Sequence, residues 1–465
     1  MAYVWSPWRQ QQQKKKPYKK VERRVSRAHQ LGTGSQAGCC VRDRWRREKD
    51  TGMVTKPVGH GSRKAGTPPP SSKAQKSTSR LTQSVKSVDV KSGKVLKEIR
   101  SVMIDLGTGY CKAGYAGQPR PSVVMSSVVG RPVQRSAKTG DNRQENFVGD
   151  ELCRSELQLK PVSPLRHGIV VDWEAVEAIW AHVFQYGMRI LPEEHAVMVA
   201  DPPLSPSTNR EKMAELLFET FNTPAMHIAY QSILSLYSYG RTTGLVLECG
   251  HGVTHVVPVH EGYTMPHVTG RADYGGADLN DYLLRMLNEA GNRFTEKGLH
   301  IVEDIKKKCC YTAVNFEQDM NLDVNEYLVE YELPDGHVIA IGKERFRCPE
   351  ALFNPSMIGS KEPGVHSLAL HSLDQCDSNL KYEMYSNILL CGGSTLFDGF
   401  ADRLQKEMNK MERGMNPTVH AIPERKYSVW LGGSIMASLK SFQQLWVRKR
   451  DYDERGPYVI YRKCF

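Results

Sequence analysis

Two short runs carry the residue types that hold a polyphosphate. The first reads Val102-Met103-Ile104-Asp105-Leu106-Gly107-Thr108-Gly109 and continues through Tyr110-Cys111-Lys112-Ala113-Gly114-Tyr115. Apolar residues lead to an acid, two glycines bracket a hydroxyl, and a second apolar run carries a lysine. That order predicts a β-hairpin with a turn too tight for most side chains, leaving backbone N–H groups to face an anion. The figure returns as Leu245-Val246-Leu247-Glu248-Cys249-Gly250-His251-Gly252, followed by Val253-Thr254-His255-Val256-Val257. A single Gly-x-Gly turn is common in ordinary hairpins. Two copies of acid-x-Gly-x-Gly between apolar strands predict two similar domains that clamp a polyphosphate between them.

Three further groups invite chemistry. Ile388-Leu389-Leu390-Cys391 reads as a buried strand stopped by Gly392-Gly393-Ser394, and strand, Gly-Gly, helix lets a backbone approach a flat or anionic ligand. Close packing alone would also explain the glycines. Lys306, Lys307 and Lys308 lie together on a helical run, which a solvated helix face would also explain. His251 and His255 suggest a metal, but residues four apart on a strand are ~13 Å apart, too far for one zinc ion.

The elements that position these groups alternate between strand and helix. Arg131-Pro132 through Asn146 reads as an exposed polar loop, and Pro164-Leu165-Arg166-His167-Gly168-Ile169-Val170 leads into a helix with Trp173, Val176, Ile179, Trp180 and Phe184 on one face. Ala196–Ala200 reads as a short buried strand. Thr208-x-x-Glu211 predicts a capping box ahead of Met213, Leu216, Leu217 and Phe221. A second helical run from Ile228 to Tyr237 carries Gln231 and ends at Gly240. Asp278 is placed to cap a helix bearing Leu279, Leu283, Met286 and Leu287, another helix spans about Ile301 to Tyr311, and Phe400, Leu404 and Met408 mark a third. This alternation predicts an α/β fold.

Charge divides the chain. Residues 1–100 hold 25 Lys+Arg against 6 Asp+Glu, and the other 365 residues hold 38 against 45. The sequence therefore reads as an acidic body behind a basic tail. Without hydrophobic periodicity the tail is expected to be disordered. Its charge permits contact with nucleic acid, an acidic membrane or the import machinery of the nucleus. A solvated extension, or a translation start assigned upstream of Met53, explains it equally. No apolar core follows the positive start, so no secretory signal is expected, and no stretch is long enough to predict a membrane span. The 11 cysteines include the pairs Cys39-Cys40 and Cys309-Cys310 but no C-x-x-C, which predicts reduced thiols of a cytosolic or nuclear protein.

Residues 101–465 resemble an actin. The likeness is dense in Arg210-Glu211-Lys212-Met213, Phe218-Glu219-Thr220-Phe221-Asn222-Thr223-Pro224-Ala225-Met226, Glu344-Arg345-Phe346-Arg347-Cys348-Pro349-Glu350, Glu424-Arg425-Lys426-Tyr427-Ser428-Val429-Trp430 and the terminal Arg462-Lys463-Cys464-Phe465. Gly107 to Lys112, Ala200 to Pro206, Gly250 to Val253 and Ile305 to Tyr311 are similar to the testis-specific actin-like proteins, as is the basic extension. The resemblance implies a two-lobed α/β fold with four subdomains around a nucleotide cleft. Subdomain 1 would comprise 101–126, 164–238 and 428–465, subdomain 2 127–163, subdomain 3 239–274 and 362–427, and subdomain 4 275–361. It implies ATP or ADP with Mg²⁺ or Ca²⁺ held through water. Gly107, Thr108, Gly109 and Lys112 would hold phosphate on one side and Gly250, Gly252 and Val253 on the other, with Asp105 as the metal-side carboxylate. Gly276, Lys306, Gly392, Gly393, Ser394, Phe397 and Lys426 would face the adenosine. Gln231 and His255 would position the attacking water. Tyr237, Gly240, Thr242, Ile435, Met436, Leu439 and Leu445 match an apolar groove that takes partner helices, although they also suit simple packing of the hinge.

The departures from actin bear on function. His251 stands where actins carry an aspartate, and an imidazole weakens a hydrated cation site. Glu248 replaces a shorter aspartate. Lys307 replaces a glutamate that accepts from ribose hydroxyls, and lysine accepts no hydrogen bond. Turnover should be slow, because phosphate hydrolysis depends on the cation. Val133–Arg143 is polar where actin inserts an apolar loop into the next subunit, which argues against independent filament growth. The resemblance implies a structural or scaffolding protein without significant ATPase activity, in the cytoplasm and cytoskeleton of male germ cells, around the sperm head and perinuclear or nuclear. Its partners would be actin, actin-binding proteins or sperm-head scaffold proteins. The alternatives are a conventional polymerising ATPase and a nuclear actin-related subunit of a chromatin-remodelling complex.

Overall fold

The computed structural model describes residues 100–133, 146–155, 157–295, 298–411 and 416–464. The basic extension 1–99 and most of the loop Val133–Arg143 lie outside the described residues.

Strands β1 (Ser101–Leu106) and β2 (Tyr110–Tyr115) form the first predicted hairpin, with Asp105 opposite Lys112. β3 (Val123–Ser126) adds to β2. β4 (Val129–Pro132), β5 (Phe147–Val148) and β6 (Leu159–Val162) make a small separate sheet, so Arg131 and Pro132 belong to a strand and not to the expected loop. β7 (Leu165–Arg166) and β8 (Ile169–Val170) pair around His167 and Gly168. β9 (Ala196–Asp201) lies parallel to β1 and β10 (Ala225–Tyr230) parallel to β9.

The second half repeats this plan. β11 (Gly244–Cys249) and β12 (Thr254–His260) form the second predicted hairpin, with Glu248 opposite His255. β13 (Tyr263–Thr264) and β14 (Gly270–Ala272) pair with β12, β15 (Val329–Glu332) pairs with β16 (Val338–Ile341), and β17 (Ile388–Cys391) runs parallel to β11. β18 (Val419–His420) continues the second sheet, and β19 (Val447–Arg448) closes the first against β10. In each half an antiparallel hairpin is followed by parallel strands. Parallel strands must be covered on both faces, which is why β9 is buried along its whole length and β17 likewise.

The helices supply that cover. α1 (Trp173–His182) buries Val176, Ile179 and Trp180 as its spacing predicts, and Phe184 in the following turn joins the same core. α2 (Ser207–Glu215) has Pro206 at its N-cap position, two residues before Thr208, and has no side-chain cap. The capping box is therefore not formed, and the Glu211 carboxylate accepts from the Tyr461 hydroxyl instead. α3 (Gln231–Ser238) is shorter than predicted, because Ile228 to Tyr230 belong to β10. α4 (Gly276–Glu289) buries Leu279, Leu283, Met286 and Leu287. Asp278 is its third residue and accepts from the Gly275 N–H, so it caps from inside the helix. α5 (Leu299–Cys309) carries the three lysines. α6 (Phe316–Met320), α7 (Val324–Tyr327), α8 (Glu344–Glu350), α9 (Val365–Asp374), α10 (Ser378–Tyr385) and α11 (Phe400–Met411) follow, and Phe400, Leu404 and Met408 of α11 are fully buried.

The chain crosses between the halves twice, at the end of α3 and at the start of α12 (Ser428–Ser438). α12 packs on α3 so closely that a Cβ on Gly432 would lie 1.7 Å from the Leu234 carbonyl oxygen. On the adjoining face Gly433 leaves room for the Met103 side chain, and Trp430 Nε1 donates to the Met103 carbonyl at 3.1 Å. Alanine usually favours a helix over glycine by about 1 kcal/mol, but overlap with backbone has no soft neighbour to absorb it. Gly432→Ala is therefore expected to cost about 3 kcal/mol or more, read as a lower midpoint in chemical unfolding. A change under about 0.5 kcal/mol would show that α3 and α12 separate freely.

Candidate functional site

The two hairpin turns meet tip to tip. A Cβ on Gly109 would lie 2.5 Å from the His251 ring, and one on Gly252 2.7 Å from the Thr108 methyl. Each turn thus needs its glycine to admit the other's side chain. Gly168 N donates to Thr108 Oγ1 at 3.0 Å, His167 Nδ1 donates to the Gly252 carbonyl at 2.7 Å, and Arg271 holds the His167 carbonyl at 2.8 Å. The strained turn at His167, with φ of 47°, therefore braces both hairpins.

Beside this junction lies a cavity of about 490 Å³. Gly107, Thr108, Gly109, Lys112, Gly250, Val253, Gly276, Lys306, Gly392, Gly393, Ser394, Phe397 and Lys426 line it, as do Asp105, Gln231 and His255. Gly252 is the exception, since it packs against Thr108 outside the lining. Gly392 has φ of 85°, and a Cβ there would lie 2.2 Å from the Cys249 carbonyl oxygen. The Gly-Gly turn is thereby fixed against β11. Ser394 Oγ donates to the Gly250 carbonyl at 2.8 Å and Lys306 Nζ to the Gly276 carbonyl at 2.6 Å. Lys306 is buried, and burial lowers its pKa.

On the acidic side, Asp105 is buried and its carboxylate lies 2.7 Å from Lys112 Nζ. Gln231 Nε2 approaches the other carboxylate oxygen at 3.5 Å. Burial, followed by repulsion from Asp105, pushes Glu248 up to about 7. Burial, followed by the Lys306 charge, lowers His251, which favours a neutral ring. His255 is buried, its Nε2 has no hydrogen-bond partner among the described residues, and burial with the Arg271 charge lowers it to about 3.

A family model described as Actin matches residues 96–297 and 291–465. The chain belongs to the actin family. It is 56% identical over 366 residues to a Macaca fascicularis protein named Actin-like protein 7A, covering 79% of this chain and 84% of that one. It is 55% identical over 401 residues to the Homo sapiens protein named Actin-like protein 7B, covering 86% and 95%. The second match is longer than 101–465 and so reaches into the basic extension.

Members of the actin family bind ATP or ADP with a divalent cation. The cradle of glycine turns, the cavity and the orphaned His255 nitrogen suit a nucleotide and an ordered water. The donor set suits a cation less well. Asp105 already pairs with Lys112, burial favours the protonated form of Glu248, and His251 offers an imidazole in place of a carboxylate. Among the described residues no group of three or more His, Cys, Asp or Glu could hold a metal directly.

Of the three lysines on α5, Lys308 pairs with Asp304 on the exposed face, as a solvated lysine should. Lys307 instead reaches Tyr110 of the other half. Sequence reading missed Tyr110, Glu303 and the His167 brace, because each acts on a residue remote in the chain. In the groove set, Ile435 is exposed on α12 and Leu439 just past its end, Met436 and Leu445 pack on the core, Tyr237 is half-buried and Gly240 and Thr242 are exposed. Among the described residues no helix is long and apolar enough to cross a membrane.

His255 generates a pH prediction. Its folded pKa of about 3 lies below the ordinary 6.5, so the unfolded chain takes up the proton first as the pH falls. Its contribution is fully present above about 6.5 and is lost as the pH falls toward about 3, with a slope of at most ~1.4 kcal/mol per pH unit. Chemical unfolding of His255→Gln between pH 6 and 4 should show a shallower acid limb than the unmodified protein. Equal slopes would show that His255 titrates normally in the folded state.

Proposed function

We propose that this divergent actin-like protein is a scaffold that binds adenine nucleotide in the cleft and hydrolyses it weakly. The observation that carries this reading is the His251 ring seated against Gly109 between the two phosphate-type turns. The backbone framework for a polyphosphate is retained, while the place of a cation-holding carboxylate is taken by an imidazole. A bound cation would supply charge neutralisation to the leaving phosphate. With that weakened, this chain's own residues bind and orient. The turn N–H groups and Lys112 would hold the phosphates, Lys306 and the Gly392-Gly393-Ser394 turn would hold the nucleoside, and Gln231 with His255 would position a water.

The remaining parts of the reading rest on sequence. The polar run Val133–Arg143 favours a protein that does not build filaments alone. The groove residues on α12 and after α3 favour docking of a partner's apolar helix, with actin or actin-binding proteins as candidates. Likeness to the testis-specific actin-like proteins favours the cytoskeleton of male germ cells, near the sperm head. These features count against a conventional polymerising ATPase, and the basic extension does not require a nuclear remodelling subunit.

Phosphate release from Mg²⁺-ATP by the purified protein, compared with its His251→Asp variant, tests the reading. The variant should turn over at least about tenfold faster, since one restored metal-side charge is worth ~1.4 kcal/mol or more of barrier. Equal rates, or conventional actin-like release by the unmodified protein, would contradict it.

A further inference from the structure

Besides the two chain crossings, the hairpin tips and the His167 brace, a further link joins the halves of the molecule. Tyr110 opens β2 in the first half, and Glu303 and Lys307 lie one turn apart on α5 in the second. That spacing puts both side chains on one face of the helix. The Tyr110 hydroxyl donates to Glu303 Oε1 at 2.7 Å and accepts from Lys307 Nζ at 3.0 Å, and Lys307 Nζ lies 2.8 Å from Glu303. The three groups close a ring in which each has two partners. The ammonium also stands 5.1 Å from the centre of the Tyr110 ring. The same ring meets His251 edge-on, with centroids 6.4 Å apart. All four side chains line the cavity.

The members of this ring differ in strength. Lys307 is half-exposed, and an ion pair of that kind contributes little. The phenol–carboxylate bond is partly buried and charge-assisted, which makes it the stronger member. Burial raises the Tyr110 phenol, so it remains a donor at neutral pH. Nothing in the ring needs a ligand to form. A phosphate-bearing ligand entering here meets Lys307 with a charge that competes directly with Glu303.

We propose that Tyr110, Glu303 and Lys307 form a latch across the cleft that keeps the halves closed without ligand and limits how fast a polyphosphate ligand exchanges. The exchange clause rests on the nucleotide reading above, whereas the closure clause does not. Hydrogen–deuterium exchange of the full chain without nucleotide therefore tests the latch by itself. Tyr110→Phe should speed exchange of the amides at 107–112 and 250–254 by about tenfold. Glu303→Gln, which keeps shape and loses charge, should speed it about threefold, and both should leave α11 unchanged. Should Tyr110→Phe fail to fold, Glu303→Gln decides. Exchange within twofold of the unmodified protein in the folded variants would overturn the latch. Release of etheno-ATP, followed by fluorescence, should be faster in the variants in the same order. If etheno-ATP does not bind the unmodified protein, the nucleotide reading fails and the exchange result alone decides the latch.

Discussion

The contact between the two glycine turns is the constraint on which the rest of the structure depends. Each turn is tight enough to free its backbone N–H groups only because it lacks side chains at the points where the other turn enters. His251 fills the space over Gly109, and Thr108 fills the space beside Gly252. The two sheets are thereby held with their hairpins face to face, and the cavity beside them follows from that placement. The close packing of α12 on α3 at Gly432 serves the same end, since it fixes the point where the chain passes between the halves.

Duplication explains the shape of the site, and the differences between the copies explain its chemistry. In both hairpins the acid stands across the ladder from a residue just beyond the turn. That residue is Lys112 for Asp105 and His255 for Glu248. In the first copy the carboxylate gains a full counter-charge. In the second it faces a buried imidazole that burial keeps neutral, and its own burial with repulsion from Asp105 pushes it up to about 7. Lys306 adds an ammonium at the wall, whereas the charge of Lys307 is paired with that of Glu303. An anionic ligand is favoured by that balance more than a hydrated cation is.

Much of this was legible in the sequence. The hairpins, the buried strands and the lining glycines follow from apolar runs bounded by Gly-x-Gly and Gly-Gly, because those signals are local. What failed was decided at a distance. Ile228 to Tyr230 is a short apolar run whose period fits a helix or a strand, and its parallel pairing with β9 settles the matter. Thr208 and Glu211 have the spacing of a capping box, yet Pro206 starts the helix earlier and Tyr461 claims the carboxylate. Tyr110 gave no signal at all, since its partner Glu303 lies on α5 in the other half.

The central claim is that the cleft keeps its framework for a polyphosphate while its grip on a divalent cation is weakened. The most direct measurement is the dissociation constant of ATP from the purified protein, by calorimetry, in excess EDTA and in millimolar Mg²⁺. The account predicts binding in both conditions with constants within about fivefold, a difference near 1 kcal/mol. Binding that appears only with Mg²⁺, or tightens by orders of magnitude with it, would contradict the account, as would no binding in either condition.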